Sequence, residues 1–191
     1  MAKRRAESDL PRTVEEFDRW YAQRPERWEF IAGVPVMMVP GANNRTIIKG
    51  NVFRPLASRL AGKPCRPLGD GPEVKSHQLS AIPVVVTCSP VEGRAGHITD
   101  PAVIVEMLSP SSERDDTGRK WQGYCLIPSL RHYLAVAQDK RFVTVHTRTG
   151  PDSFEERFYL GGTIDLPAIG AQLSLDEIYE GVTFEAEPAD D

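Results

Sequence analysis

Glu106 interrupts an apolar run, Ala102 to Leu108, and Lys120 follows it 14 positions later. The run is short and rich in β-branched residues, the pattern of a buried strand. A carboxylate enclosed there without a partner costs several kcal/mol, so it calls for a cationic side chain, a donor network or a metal ion. Asp116, Lys120 and Tyr124 recur at i, i+4 and i+8 and so share one face of a helix. A strand, a short turn and a helix folding back would return the Lys120 side chain toward the end of the strand that carries Glu106. A carboxylate-bound cation that polarises a phosphoryl oxygen and activates water, with a lysine facing the charge that develops, is equipment for phosphodiester hydrolysis.

The elements that must position these groups are legible along the chain. Thr13 and Glu16 have the spacing of a capping box and open a helix through about Gln23. Trp28 to Ile31, a turn at Ala32 and Gly33, and Val34 to Met38 predict a β-hairpin, with Glu29 in its first strand. Ile48, Val52, Leu56 and Leu60 mark a helix from Arg45 to about Ala61, which Pro55 should kink. Short strands are predicted at Cys65 to Leu68, Glu73 to Lys75 and Pro83 to Thr87, and Ala102 to Leu108 is the strongest strand. Ser112 to Asp115 precedes the helix of Lys120, and strands follow at Arg131 to Ala137, Arg141 to His146 and Phe154 to Tyr159. The order implies an α/β (α+β) fold, a mixed sheet flanked by helices.

Length and composition bound the rest. At 191 residues and 40% hydrophobic, the chain suits one domain. We expect a flexible segment at 1–12, a domain at 13–180 and an acidic tail at 181–191. Cys65, Cys88 and Cys125 are odd in number and widely spaced, which predicts free thiols and a reducing, cytoplasmic setting. No apolar stretch approaches the roughly 20 residues that cross a bilayer, so no membrane partner is expected. A net charge of −4 leaves nucleic-acid binding to local basic clusters. Phe30 to Gly69 contains Arg45, Lys49, Arg54, Arg59, Lys63 and Arg66 and no acid, but on a helical wheel Arg45, Lys49, Arg59 and Lys63 fall beside the apolar stripe, so a phosphate contact and a merely solvated flank are equal readings.

Trp28-Glu-Phe-Ile-Ala-Gly-Val-Pro-Val-Met-Met38, Pro83-Val-Val-Val86 and Val105-Glu-Met-Leu-Ser-Pro-Ser-Ser112 occur in that order. Together with Asp116, Lys120, Tyr124, Pro128 and Tyr133-Leu-Ala-Val136, they resemble the Uma-type restriction endonucleases of the PD-(D/E)XK nuclease superfamily. The resemblance runs from about Thr13 to Leu175. It implies a restriction-endonuclease-like core, a divalent metal such as Mg²⁺ or Mn²⁺, and DNA as substrate. By position, Glu106 matches the acidic metal ligand, Lys120 looks like the catalytic lysine moved from strand to helix, and Glu29 looks like an auxiliary acid and second metal ligand. The pattern departs at Val84, where an Asp is implied, at Ala32, where an Asp is common, and at Arg45, where a His is common. With no acid at 84, a metal held by Glu106 and Glu29 would be weakly bound.

The expectation is therefore a metal-dependent DNA endonuclease, impaired to the extent that Val84 removes a ligand, and a homodimer if both strands are cut. The alternative is a decayed relative that keeps nucleic-acid or protein binding without cleavage. Each residue also has a plainer reading. Glu106 can be a structural ion pair, Lys120 a solvated helix lysine, Glu29 an exposed strand residue, and Trp121 and Tyr124 packing.

Overall fold

The structure, a computed structural model, describes residues 10–38, 43–69, 73–93, 96–108 and 116–184. Residues 1–9 of the expected N-terminal segment, the cap at Ser112 to Asp115 and positions 185–191 of the expected tail lie outside the described residues. Within the tail, Val182 and Phe184 pack against the core.

Helix α1, Val14–Tyr21, starts where the Thr13 hydroxyl accepts from the Glu16 N–H at 3.2 Å. The Glu16 carboxylate reaches back to the Arg12 N–H, so the capping box closes one residue early. The hairpin forms as predicted from β1, Trp28–Ile31, and β2, Val34–Met37. Helix α2, Asn43–Leu60, continues through Pro55. Then come β3 (Arg66–Leu68), β4 (Glu73–Ser76), β5 (Leu79–Ala81), β6 (Val84–Thr87), β7 (His97–Ile98) and β8 (Pro101–Leu108). Helix α3 spans Asp116–Tyr124, and β9 (His132–Ala137), β10 (Val143–Arg148), β11 (Phe154–Tyr159), β12 (Thr163–Leu166), β13 (Ala171–Ser174) and α4 (Leu175–Ile178) complete the chain.

Two sheets carry the architecture. The larger has the order β11-β10-β9-β8-β6-β3, and the smaller β2-β1-β5-β4-β7. Strands β8 and β9 pair in parallel with α3 as their crossover, whereas the other pairs of the large sheet are antiparallel. The expected mixed sheet with flanking helices is what forms.

Alternation along β8 divides the core, because successive side chains of a strand leave opposite faces. Val103, Val105 and Met107 join Ile48, Val52 and Leu56 of α2. Ile104 joins Val85, Tyr133, Ile31, Leu79 and Tyr124 on the face covered by α3 and the small sheet. Glu106 belongs by parity to that second face.

The cysteine expectation is corrected. Cys65 and Cys88 form a disulfide with a sequence separation of 23, leaving Cys125 free. They lie just outside the antiparallel pair Arg66 and Thr87, so strand pairing, invisible to spacing rules, brings them together. A reducing compartment no longer follows from the cysteine count. No described helix is long and apolar enough to cross a membrane.

The hairpin turn holds a local cost. Ala32 sits at φ 50° and Gly33 at φ 82°, between the paired Ile31 and Val34. A two-residue turn with both φ values positive favours Asn-Gly, and alanine is disfavoured there by about 1 kcal/mol. Ala32→Asn should therefore raise stability by roughly 0.5–1 kcal/mol, read as a higher urea midpoint at unchanged slope.

Candidate active site

Three elements deliver the site. Glu29 lies in β1 and Glu106 in β8, and Lys120 in α3 reaches both. The Lys120 ammonium is 2.8 Å from Glu29 Oε2 and 3.4 Å from Glu106 Oε1. The backbone N–H of Ile82 donates to Glu29 Oε1 at 3.0 Å, and the Tyr124 hydroxyl donates to Glu106 Oε1 at 2.6 Å. Glu29, Glu106 and Lys120 are 5%, 3% and 7% exposed, so the plain readings of a solvated lysine and an exposed strand acid are set aside.

Helix α3 can approach this closely because of what one of its own residues lacks. A Cβ added at Gly123 would meet the Leu79 side chain at 3.0 Å, so glycine lets α3 settle on β5. The Ser76 hydroxyl donates to the Gly123 carbonyl at 3.1 Å. Past the helix end, Arg148 donates to the carbonyls of Cys125, Ile127 and Leu130 at 2.8, 2.9 and 2.7 Å. One guanidinium from β10 thus pins the segment that directly follows Tyr124, while the Tyr124 carbonyl itself accepts from the Ile127 N–H at 3.0 Å.

Electrostatics follow from the enclosure. Burial pushes the Glu29 carboxyl upward, but the Lys120 charge and hydrogen bond, the Ile82 N–H and the Arg45 guanidinium outweigh it, and the net shift is down. Burial works against the Lys120 ammonium, yet Glu106 and Glu29 more than reverse that and raise it above its ordinary value. Burial, then the charges of Glu106 and Glu29, raise the Tyr124 phenol well above its ordinary value, so it stays a neutral donor.

Glu29 and Glu106 offer hard carboxylate oxygens that suit a cation of the Mg²⁺ class. Magnesium is commonly held by one or two carboxylates with water and phosphate completing the shell, so the pair meets that minimum. Among the described residues no group of three or more His, Cys, Asp or Glu converges on such a site. Val84 is fully buried, pairs with Val105 and packs in the α2-side cluster. Its side chain therefore leaves the sheet on the face opposite Glu106.

Other expectations meet mixed outcomes. Asp116 opens α3, as the helix-face spacing requires. Of the basic run, Arg54 pairs with Glu180, Arg59 with Glu177 at 2.6 Å, and Lys63 donates to the Gly170 carbonyl at 2.9 Å. Those three tie α2 to α4 and its approach instead of forming an open phosphate-binding face. Tyr124, read from sequence as packing, is packed in the second core cluster and also donates to Glu106. Its position four residues after Lys120 was the available signal. The Ile82 N–H carried none, since backbone donors have no sequence signature.

Two outcomes are expected of this network. Lys120→Met leaves two enclosed carboxylates without their cation and should cost roughly 3–5 kcal/mol, seen as a fall in the urea midpoint. Glu29, with its folded value depressed, contributes stability that is present above its unfolded value of about 4.3 and is lost as pH falls through the folded value. Urea titrations from about pH 6 down to 3 should show that acid loss, and Glu29→Gln should flatten the slope in this window.

The chain is 28% identical over 176 residues to an uncharacterized protein, slr1290, from Synechocystis, covering 89% of this chain and 92% of that one. Its fold is similar to a crystal structure of a putative nuclease belonging to DUF820 from Anabaena variabilis. That match has a TM-score of 0.73 and 17% identity, and covers 91% of this chain and all of the other. Residues 14–177 match the family Uma2, described as "Putative restriction endonuclease", and the chain belongs to that family.

Proposed function

We propose that this protein is a metal-dependent endonuclease that hydrolyses DNA phosphodiester bonds. The observation that carries the reading is the meeting of two buried carboxylates and a buried ammonium from β1, β8 and α3. Glu29 and Glu106 would hold Mg²⁺ or Mn²⁺, weakly, since only two carboxylates are at hand. A cation bound there supplies polarisation of a phosphoryl oxygen and a more acidic water. The chain's own contribution is Lys120, whose ammonium form is favoured by Glu106 and Glu29 and can offset negative charge developing on a phosphoryl group. The Ile82 N–H and the Tyr124 hydroxyl keep the two carboxylates oriented and themselves carry no charge. A homodimer, matching the two strands of a duplex, and a cytoplasmic setting, where that duplex is met, belong to the same reading.

A second reading is favoured by the closure of the network, in which Lys120 already pairs with both carboxylates and position 84, where the family resemblance implies an acid, is a valine turned to the opposite face. On that reading the protein binds nucleic acid and does not cut it.

Purified protein incubated with plasmid and with single-stranded DNA across Mg²⁺ and Mn²⁺ titrations separates the two. Metal-dependent cleavage is expected, falling roughly 10²–10³-fold in Glu106→Gln while circular dichroism remains native. Salt-dependent retention of DNA with no cleavage at any metal concentration selects the second reading, and absence of both overturns each.

A further inference from the structure

We propose that Tyr124 is a positioning residue for Glu106, holding its carboxylate in the orientation that a divalent cation meets. This rests on the metal-dependent reading given above. The two neighbours of Glu106 Oε1 are unequal: the Tyr124 hydroxyl is at 2.6 Å and the Lys120 ammonium at 3.4 Å. Lys120 is drawn instead toward Glu29 at 2.8 Å. The tyrosine is thus the closer anchor of this oxygen, and it differs from lysine in kind. A phenol orients a carboxylate without bringing a compensating charge of its own, whereas an ammonium at the same distance would bring one.

The anchor is also rigid. Tyr124 is fully buried, its ring lies 5.6 Å from that of Tyr133, and the chain directly after it is held by Arg148 through the Cys125 and Ile127 carbonyls. Hydroxyl, carboxylate and helix end therefore cannot drift independently. Tyr133 supplies an internal control. It is also fully buried and packs in the same cluster, but its hydroxyl has no hydrogen-bond partner among the described residues. Each Tyr→Phe change removes one buried phenolic oxygen, and only the change at Tyr124 takes a donor from Glu106.

The test compares Tyr124→Phe with Tyr133→Phe in the full chain, using Mn²⁺ binding by electron paramagnetic resonance and DNA cleavage resolved into kcat and KM. Tyr124→Phe should weaken Mn²⁺ binding roughly 10-fold or more and lower kcat with KM for DNA unchanged, the scale seen when a ligand loses its supporting hydrogen bond. Tyr133→Phe should leave both within about 2-fold, below the smallest loss typical of an outer-shell partner. Unchanged Mn²⁺ affinity in Tyr124→Phe, or equal losses in the two variants, overturns the assignment. If the wild-type protein neither binds Mn²⁺ nor cuts, the metal-dependent reading fails, and the assignment of Tyr124 is judged separately by side-chain ¹³C-carboxyl spectra of labelled glutamate. A Glu106 resonance that moves in Tyr124→Phe and not in Tyr133→Phe supports the anchoring, and one that moves in neither overturns it.

Discussion

An ammonium enclosed between two carboxylates is the constraint on which the rest of this structure turns. None of the three charges could remain in its position alone, because removing an ion from water costs several kcal/mol that only a close partner returns. Lys120 stands 2.8 Å from Glu29 and 3.4 Å from Glu106, so hairpin, central strand and crossover helix are bound into one unit. A structural ion pair alone would need one carboxylate. The second, together with separate neutral donors for each acid, makes a network in which the acids are oriented as well as compensated.

The sheet supplies the geometry through simple parity. Odd-numbered residues of β8 from Val103 to Met107 feed the α2 cluster, and the even-numbered Ile104 and Glu106 turn toward α3 and the hairpin sheet. Parallel pairing with β9 requires a crossover, and α3 is that crossover, which is why a lysine in it returns to the strand just left. Gly123 sets how near the helix comes, and Arg148 closes the helix end. Function-bearing groups are thus placed by features that themselves carry no chemistry.

How much of this was legible depended on whether the signal was local. The acid inside an apolar strand, the lysine at helical spacing from Tyr124 and the two-residue hairpin turn are all short-range patterns, and each was readable. Strands β5 and β7 were missed because two or three residues bear no period, and β12 lay beside glycines that read as loop. The disulfide and the pairing of Arg54 and Arg59 with Glu180 and Glu177 depend on contacts across 23 to 126 positions, where spacing rules are silent. The basic run could be read as a phosphate surface for the same reason: its acidic partners stand at the other end of the chain.

Charge balance then governs how such a pocket treats a cation. Two carboxylates and one ammonium leave a single negative charge, and the Arg45 guanidinium acts on both Glu29 and Lys120. A pocket this near neutrality exerts little pull on a divalent ion that gives up its water reluctantly. Val84 contributes nothing to correct the balance, because β6 turns that side chain into the α2 cluster. A phosphodiester, however, brings negative charge and oxygen ligands of its own. On the nuclease reading, bound DNA therefore tightens a metal that the two carboxylates alone hold weakly. On the decayed reading the same neutrality is an end state, a closed ion network that holds three elements in place. The two readings share one resting geometry and part in what the network does when metal and phosphate arrive.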